Sequence, residues 1–149
     1  MCGRYALYGP ISRHRKNKPV DDLPNWYPTV VDAINARPMR FNVAPTQPVP
    51  VVRDVGRDGA TVRRLDGLRW GLVPFWAKDT KIAAKLINAR SETARTQPSF
   101  RAAFARRRCL VLADGWYEWR RSGARQKGKP VKEAFHLRRP DGGPIAFAG

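Results

Sequence analysis

The amino-acid sequence predicts an α+β fold built mostly on antiparallel β-sheet. Three observations support this prediction: strand-like segments outnumber helical ones, short turns connect most of them, and the helical segments are not spaced as regular βαβ crossovers. The chain has 149 residues, of which 42% are hydrophobic. This length is about that of one domain and is sufficient for a buried core. We therefore expect a single domain over residues 1–149.

The first half of the chain contains three strand signals and one long polar region. Residues 3–8 favour a short strand, whereas residues 11–38 are polar, basic and interrupted by proline, and are expected as a surface insertion. Residues 40–53 indicate a loop that enters a strand, and residues 60–74 contain a further strand with alternating polarity. Asp58-Gly59 between these two strands predicts a hairpin turn.

The second half mixes helix and strand signals. Residues 78–94 favour a helix at their start and an extended segment after it. Residues 100–108 favour an amphipathic helix. The strongest strand signal covers residues 109–121, and it is followed by a basic loop and a strand near 131–138.

The last segment is a turn at Asp141-Gly142-Gly143 and an apolar strand that stops at Gly149. Natural domains usually cover or pair the edge strands of their sheets. We therefore expect the domain to be incomplete at its C-terminus.

The charge balance is strongly basic, with 29 Lys and Arg against 12 Asp and Glu, a net charge of +17. Such a field attracts polyanions, and arginine suits phosphate contacts and stacking on bases. The alternative is that the charge only reflects a soluble protein from an arginine-rich proteome.

Cys2 and Cys109 are the two cysteines, and neither belongs to a cluster with zinc spacing. We expect no metal or other cofactor. The sequence has no signal-peptide h-region and no apolar stretch long enough to cross a membrane. A reducing cytoplasm is the expected compartment.

Cys2 stands directly behind the initiator methionine. Removal of Met1 would leave an α-amine beside a thiol, and the amine, with an ordinary pKa of about 7.7–8.0, can attack an aldehyde. The thiol can then add to the same carbon and close a thiazolidine ring, a product that an internal cysteine cannot form. The alternative is an incidental, half-buried small residue.

Glu118 lies within the aromatic segment GWYEW. On a strand, Trp116 and Glu118 would point to one face and Tyr117 and Trp119 to the other. Burial among rings favours the neutral carboxylic acid, which can move protons on and off an amine or a ring oxygen. A structural ion pair with one of the many arginines is the alternative.

Two further segments offer candidate ligand contacts. Asn88 and Arg90 would face the same side of an extended segment, which suits a sugar hydroxyl beside a phosphate, although loop capping and a solvated arginine are the ordinary explanation. Phe75 and Trp76 follow a proline turn and could stack on bases, with core packing as the alternative. Neither His14 nor His136 is assigned a catalytic role.

The order of several motifs along the chain is specific. These motifs are MCGRY, NVAPTQ, WGLVPFWAKD, INARSETA and SFRAAFARRRCLVLADGWYEW. Together they resemble the SOS-response-associated peptidase (SRAP) family, over nearly all of the chain outside residues 11–38. The resemblance implies a barrel-like antiparallel sheet with peripheral helices and a basic groove that holds single-stranded DNA containing an abasic site.

The resemblance also implies a role for each matching residue. Cys2 would form a thiazolidine crosslink with the ring-opened abasic sugar, shielding the lesion, while Asn88 orients the sugar and Cys2, and Glu118 shuttles protons. Arg4 and Arg90 would hold phosphates, Phe75 and Trp76 would stack beside the lesion, and Asn42 would shape the pocket. We expect a monomer that is cytoplasmic and associated with the nucleoid, with no membrane or metal partner.

The sequence departs from the family pattern in two places. The family's downstream histidine motif is absent, and HLRRP at residues 136–140 precedes the final hairpin, so the role is not transferred to His136. Phe75 stands where tryptophan is common in relatives. Two alternative functions therefore stay open: a truncated remnant that binds single-stranded DNA noncovalently, and a cysteine autopeptidase with incidental DNA affinity.

Overall fold

A computed structural model of the chain describes residues 3–8, 32, 36–57 and 59–149. Eight β-strands lie within these residues: β1 Tyr5–Leu7, β2 Arg40–Val43, β3 Pro48–Arg57, β4 Ala60–Arg69, β5 Leu110–Ala113, β6 Gly115–Gln126, β7 Lys129–Arg138 and β8 Ile145–Ala148. A 3₁₀ helix spans Thr80–Lys85, and helix α1 spans Arg101–Arg106.

The strands form two four-stranded antiparallel sheets. The first has the order β2-β1-β6-β7, and the second has the order β4-β3-β5-β8. In the part of the chain that the structure describes, neither sheet closes on itself. The predicted α+β class, mostly antiparallel with few helical residues, is confirmed.

The two sheets pack together through aromatic and branched side chains. Tyr5 of β1 is 2% exposed, and its ring centroid lies 5.4 Å from that of Trp70 and 6.1 Å from that of Phe147 on β8. Val43 and Val51 are also fully buried. This core fixes the inner face of the first sheet against the second.

Hairpin β3-β4 forms as the sequence predicts. Arg57 pairs with Ala60, and Gly59 adopts φ 79°, a conformation that glycine tolerates without steric cost. Strand β4, Ala60–Arg69, lies within the 60–74 segment in which a strand is expected. Among the strands that the structure describes, the final strand β8 pairs with β5 alone, at the edge of its sheet.

The predicted single strand over residues 109–121 is wrong, because the chain changes sheets at Asp114. The Asp114 N–H donates to Ala6 O at 2.8 Å, and its Oδ2 accepts from the Tyr8 N–H at 2.6 Å. Strand β5 therefore ends in the second sheet and β6 begins in the first. Apolar and aromatic residues on both sides of Asp114 concealed this break in the sequence.

The predicted basic loop after residue 121 is also wrong. Strand β6 continues to Gln126 and strand β7 begins at Lys129. The connection between them is a two-residue turn, Lys127-Gly128. Other predicted elements are shorter than expected: residues 78–94 contain the 3₁₀ helix, and residues 100–108 contain α1. Most of the expected surface insertion at 11–38 lies outside the described residues.

Candidate nucleic-acid interface

The start of the chain is attached to the strand that carries Glu118. Cys2 itself lies outside the described residues, which begin at Gly3. The backbone oxygen of Arg4 accepts a hydrogen bond from the Tyr117 N–H at 3.0 Å, and Tyr5 pairs with Trp116. The backbone two positions after Cys2 is therefore fixed beside β6.

Arg4 and Asn42 form a direct contact. Arg4 Nη1 donates to Asn42 Oδ1 at 2.8 Å. Asn42 lies on β2, where its neighbour Val43 pairs with Tyr5 and is buried in the core. The register between β1 and β2 shifts beside Asn42, and the Asn42 side chain is exposed. The contact therefore holds the Arg4 guanidinium at an exposed position of β2.

Glu118 lies on the inner face of the same sheet. Trp116, two residues earlier on β6, points to the same face, and its ring centroid lies 6.2 Å from that of Phe147 in the second sheet. Glu118 pairs across the strands with Phe135 of β7. Glu118 is half-buried. The predicted division of GWYEW between two faces agrees with this register.

Asn88 lies in an extended segment that is anchored to the core. Trp70 Nε1 donates to Ile87 O at 2.9 Å, and the Leu72 N–H donates to Leu86 O at 3.0 Å. Since the Trp70 ring also packs on Tyr5, this segment is linked to the beginning of β1. Asn88 is half-buried, as a residue that lines a site would be.

Close packing at Gly71 supports the same segment. Gly71 has φ 124°, and a Cβ at this position would lie 2.4 Å from Ala83 O. The glycine thus allows the 3₁₀ helix to approach the end of β4. A larger residue would displace the helix that leads into Asn88.

Phe75 and Trp76 are exposed, at 79% and 47% of their surface. They sit in a turn in which the Ala77 N–H donates to Pro74 O at 3.0 Å. Core packing, the alternative considered from the sequence, does not apply to Phe75. Both rings have free surface for stacking.

Arg90 is exposed, and its carbonyl accepts hydrogen bonds from the Thr93 and Ala94 N–H groups. The structure thus brings Arg4 and Asn42 into contact and links the Asn88 segment to the core beneath them.

Sequence reasoning missed a cluster of rings on the outer face. Tyr8 stacks on Phe41 at 5.0 Å between centroids, and Tyr117 lies 4.9 Å from His136. The Tyr117 hydroxyl donates to Phe41 O at 2.7 Å. The alternation in GWYEW placed Tyr117 on this face, but its partners are distant in sequence and carried no signal.

Cys109, the second cysteine, sits between β5 and the end of the chain. It exchanges backbone hydrogen bonds with Gly149, at 2.7 and 2.9 Å. Burial raises the pKa of its thiol, and nearby Arg53 partly opposes this shift. Cys109 therefore carries less thiolate at neutral pH than an exposed cysteine does.

The described residues contain no group of three or more His, Cys, Asp or Glu side chains placed to hold a metal ion. Across the same ranges, no helix combines the length and the apolar character that crossing a bilayer requires.

Comparison with known proteins identifies the family. Residues 1–149 match the family described as SOS response associated peptidase (SRAP). Abasic site processing protein YoqW of Bacillus subtilis is 38% identical over 130 residues, covering 85% of this chain and 51% of that protein. Abasic site processing protein YedK of Escherichia coli is 37% identical over 151 residues, covering 99% of this chain and 58% of that protein.

Two solved structures have a similar fold. A protein from Bacteroides thetaiotaomicron superposes with a TM-score of 0.64 at 22% identity, covering 99% of this chain and 58% of that one, which supports the fold. A phage-related protein from Bordetella bronchiseptica gives 0.63 at 26% identity, with coverage of 99% and 59%. The chain spans about half the length of the curated relatives that it matches. Because the SRAP family model matches residues 1–149, the chain belongs to the SRAP family.

Proposed function

We propose that this chain recognises abasic sites in single-stranded DNA and forms a covalent thiazolidine crosslink with them through Cys2 after removal of Met1. The curated relatives named above are abasic site processing proteins, which supports the choice of lesion. The net charge of +17 supports a polyanionic partner. We further propose that the protein acts as a monomer, in the cytoplasm and close to the nucleoid.

One observation carries the proposal: the backbone hydrogen bond between Arg4 O and the Tyr117 N–H. Tyr117 directly precedes Glu118. Covalent geometry limits the span of two residues to about 7 Å, so the α-carbon of Cys2 stays within that distance of the α-carbon of Arg4. This bound supports a reaction in which the N-terminal residue and Glu118 act on one substrate.

The reaction has two bond-forming steps. The α-amine of Cys2 attacks C1′ of the ring-opened sugar, and loss of one water gives an imine. The thiol then adds to the imine carbon, forming an S–C bond, while the thiol proton passes to the nitrogen. The ring therefore contains one amine nitrogen and one sulfur on the same carbon, with no oxidation or reduction.

Glu118 would transfer the protons that these reaction steps require. Opening of the sugar ring delivers a proton to O4′, and loss of water requires a proton on the departing hydroxyl. Glu118 is half-buried, on the same face of β6 as Trp116. Asn88, held through its neighbour Ile87, would orient the sugar hydroxyl.

The remaining candidates would hold the strand. Arg4, oriented by Asn42, and the exposed Arg90 supply cations for phosphates. Phe75 and Trp76 supply exposed rings on which flanking bases can stack. Phosphate contacts and stacking place the lesion without reading its sequence context.

A denaturing gel tests the proposal. The protein is incubated with an abasic single-stranded oligonucleotide, heated in denaturant and separated. The chain should give a heat-stable shifted band, and Cys2→Ala should give none while retaining noncovalent affinity in an anisotropy assay. Glu118→Gln should slow appearance of the band without changing the unfolding midpoint.

Cys109→Ala is the matched control, because it removes the other thiol at a half-buried site and should leave the shifted band intact. Binding that disappears with salt and leaves no band would instead support the noncovalent remnant. Methionine removal without any DNA adduct would support the autopeptidase. Simultaneous loss of band and affinity in Cys2→Ala would contradict the residue roles.

A further inference from the structure

We propose that the outer part of hairpin β6-β7 binds the phosphate backbone of DNA outside the lesion site. We call this segment, residues 121–132, the basic ribbon. The inference deepens the proposed function by adding a second contact surface for the same partner. Its test below uses undamaged DNA, so that it can fail or succeed independently of the crosslink.

The basic ribbon projects from the first sheet as two strands. Strand β6 pairs with β1 only at Gly115 and Trp116. Its pairing with β7 extends along the hairpin as far as the pair formed by Gln126 and Lys129. Beyond Trp119, therefore, β7 is the only strand bonded to β6 among the described residues. A free two-stranded ribbon has the dimensions that enter the major groove of a duplex.

The basic ribbon carries five cations and no carboxylate in its sequence. The cations are Arg121, Arg125, Lys127, Lys129 and Lys132, and all five are exposed. None of them belongs to an ion pair between described residues. The first acidic residue is Glu133 at the base, and it is bound by Arg120 at 3.0 Å.

Two of these cations face each other across the strands. Arg121 pairs in register with Lys132, so that their side chains leave the same face of the ribbon. Like charges directly opposite each other weaken a strand pair. An anion bound between them would remove this repulsion.

The turn places another cation in an unfavourable backbone conformation. Lys127 has φ 49° and Gly128 has φ 77°, so both turn residues adopt the left-handed region. Hairpin turns of this kind strongly favour Asn or Asp at the first of these positions. Lysine there costs backbone stability, and it puts a positive charge at the tip of the ribbon.

The other long hairpin provides an internal comparison. On β3-β4, Arg53 and Arg64 both bind Asp66, at 2.5 and 2.6 Å, and Arg63 binds Asp54 at 2.6 Å. These three arginines are thus neutralised by carboxylates within the hairpin. The basic ribbon has the same architecture without that neutralisation, which favours an external polyanion as its partner.

The test measures binding of undamaged DNA in a Cys2→Ala background, so that no crosslink contributes. The probes are a blunt duplex and a single strand of the same sequence, titrated by fluorescence anisotropy over a range of salt concentrations. The ribbon variant carries Arg125→Gln, Lys127→Asn and Lys129→Gln. The control variant carries Arg63→Gln, Arg64→Gln and Arg139→Gln, removing the same formal charge from side chains that are ion-paired.

The ribbon variant should lose affinity about tenfold or more at low salt. The slope of log affinity against log salt should fall by about 0.9 per lost contact if the ribbon holds a duplex and by about 0.7 if it holds a single strand. The control should change far less. Equal losses in both variants, or parental affinity and slope in the ribbon variant, would overturn the proposal.

Lys127→Asn alone separates binding from folding. Asn suits the turn, so the thermal unfolding midpoint should rise. The slope of log affinity against log salt should fall by the amount expected for one lost phosphate contact, measured on whichever DNA probe the parent protein binds more tightly. A rise in the midpoint with an unchanged slope would also overturn the role of this lysine.

Discussion

Asn42 Oδ1 accepts a hydrogen bond from Arg4 Nη1 at 2.8 Å, joining two exposed regions that are 38 residues apart in sequence. The backbone of the same arginine is bonded to Tyr117. Arg4 therefore has its main chain fixed to β6 and its guanidinium directed by β2, which orients a cation beside the start of the chain.

Arg4 and Asn42 should act on DNA as one unit. We expect Arg4→Ala and Asn42→Ala each to weaken binding of single-stranded DNA, and the double variant to weaken it less than the sum of the two changes, because either change removes the same oriented cation. Anisotropy titrations of the four proteins measure this coupling. Strict additivity of the two free-energy changes would show that the hydrogen bond has no part in binding.

Phe75 should contribute to DNA affinity and little to stability. Since 79% of its surface is exposed, Phe75→Ala should change the free energy of unfolding by less than about 0.5 kcal/mol. Loss of a stacked base should cost about 1–3 kcal/mol of binding to a single strand. Phe75→Trp should strengthen the binding.

Val62→Ala is the control for this prediction, because Val62 is an exposed apolar residue on β4, at 38% exposure. Urea unfolding and anisotropy titration check both variants. If Phe75→Ala and Val62→Ala bind DNA equally well, Phe75 does not stack on a base.

Asp114 should be a sensitive position, because it is a buried polar residue. It is 4% exposed and accepts from the Tyr8 N–H at the point where the chain changes sheets. Asp114→Ala leaves that N–H without its acceptor, and we expect a loss of about 1–3 kcal/mol in the free energy of unfolding. Asp114→Asn, which keeps an acceptor oxygen, should lose less. Equal losses would assign the effect to the negative charge, which both substitutions remove, instead of to the hydrogen bond.

Asp66 should make stability depend on acid pH. Its hydrogen bond from Arg53, together with that from Arg64, lowers the pKa of its carboxyl below the usual 3.8. Because the folded value is the lower one, the stabilisation is complete above the ordinary value and disappears as the pH falls through the folded value. Urea midpoints should therefore fall on acidification, and Asp66→Asn should reduce that fall. An unchanged profile in the variant would remove Asp66 from this account.

Local signals in the sequence predicted the parts of the fold that depend on neighbouring residues. Asp58-Gly59 predicted the β3-β4 hairpin, and alternation in GWYEW placed Glu118 and Trp116 on one face. The sequence does not decide whether Phe75 is exposed or packed in the core, because aromatic residues beside proline occur both in cores and in binding sites.

Contacts between distant residues were not predictable in the same way. The break at Asp114 depends on a buried hydrogen bond to Tyr8, which lies 106 positions away. The contact between Arg4 and Asn42 depends on the order of β2 and β1 in the sheet. Lysine at a positive φ contradicts the usual turn preference, so Lys127-Gly128 was interpreted as part of a loop.

The most direct test is the intact mass of the protein after incubation with an abasic single-stranded oligonucleotide, followed by nuclease digestion and peptide mapping. The account predicts mature protein beginning at Cys2, with a mass increase equal to the oligonucleotide minus one water and the modification confined to Cys2. Mature protein that begins at Cys2 and never gains this mass, or that carries the adduct elsewhere, would contradict the account.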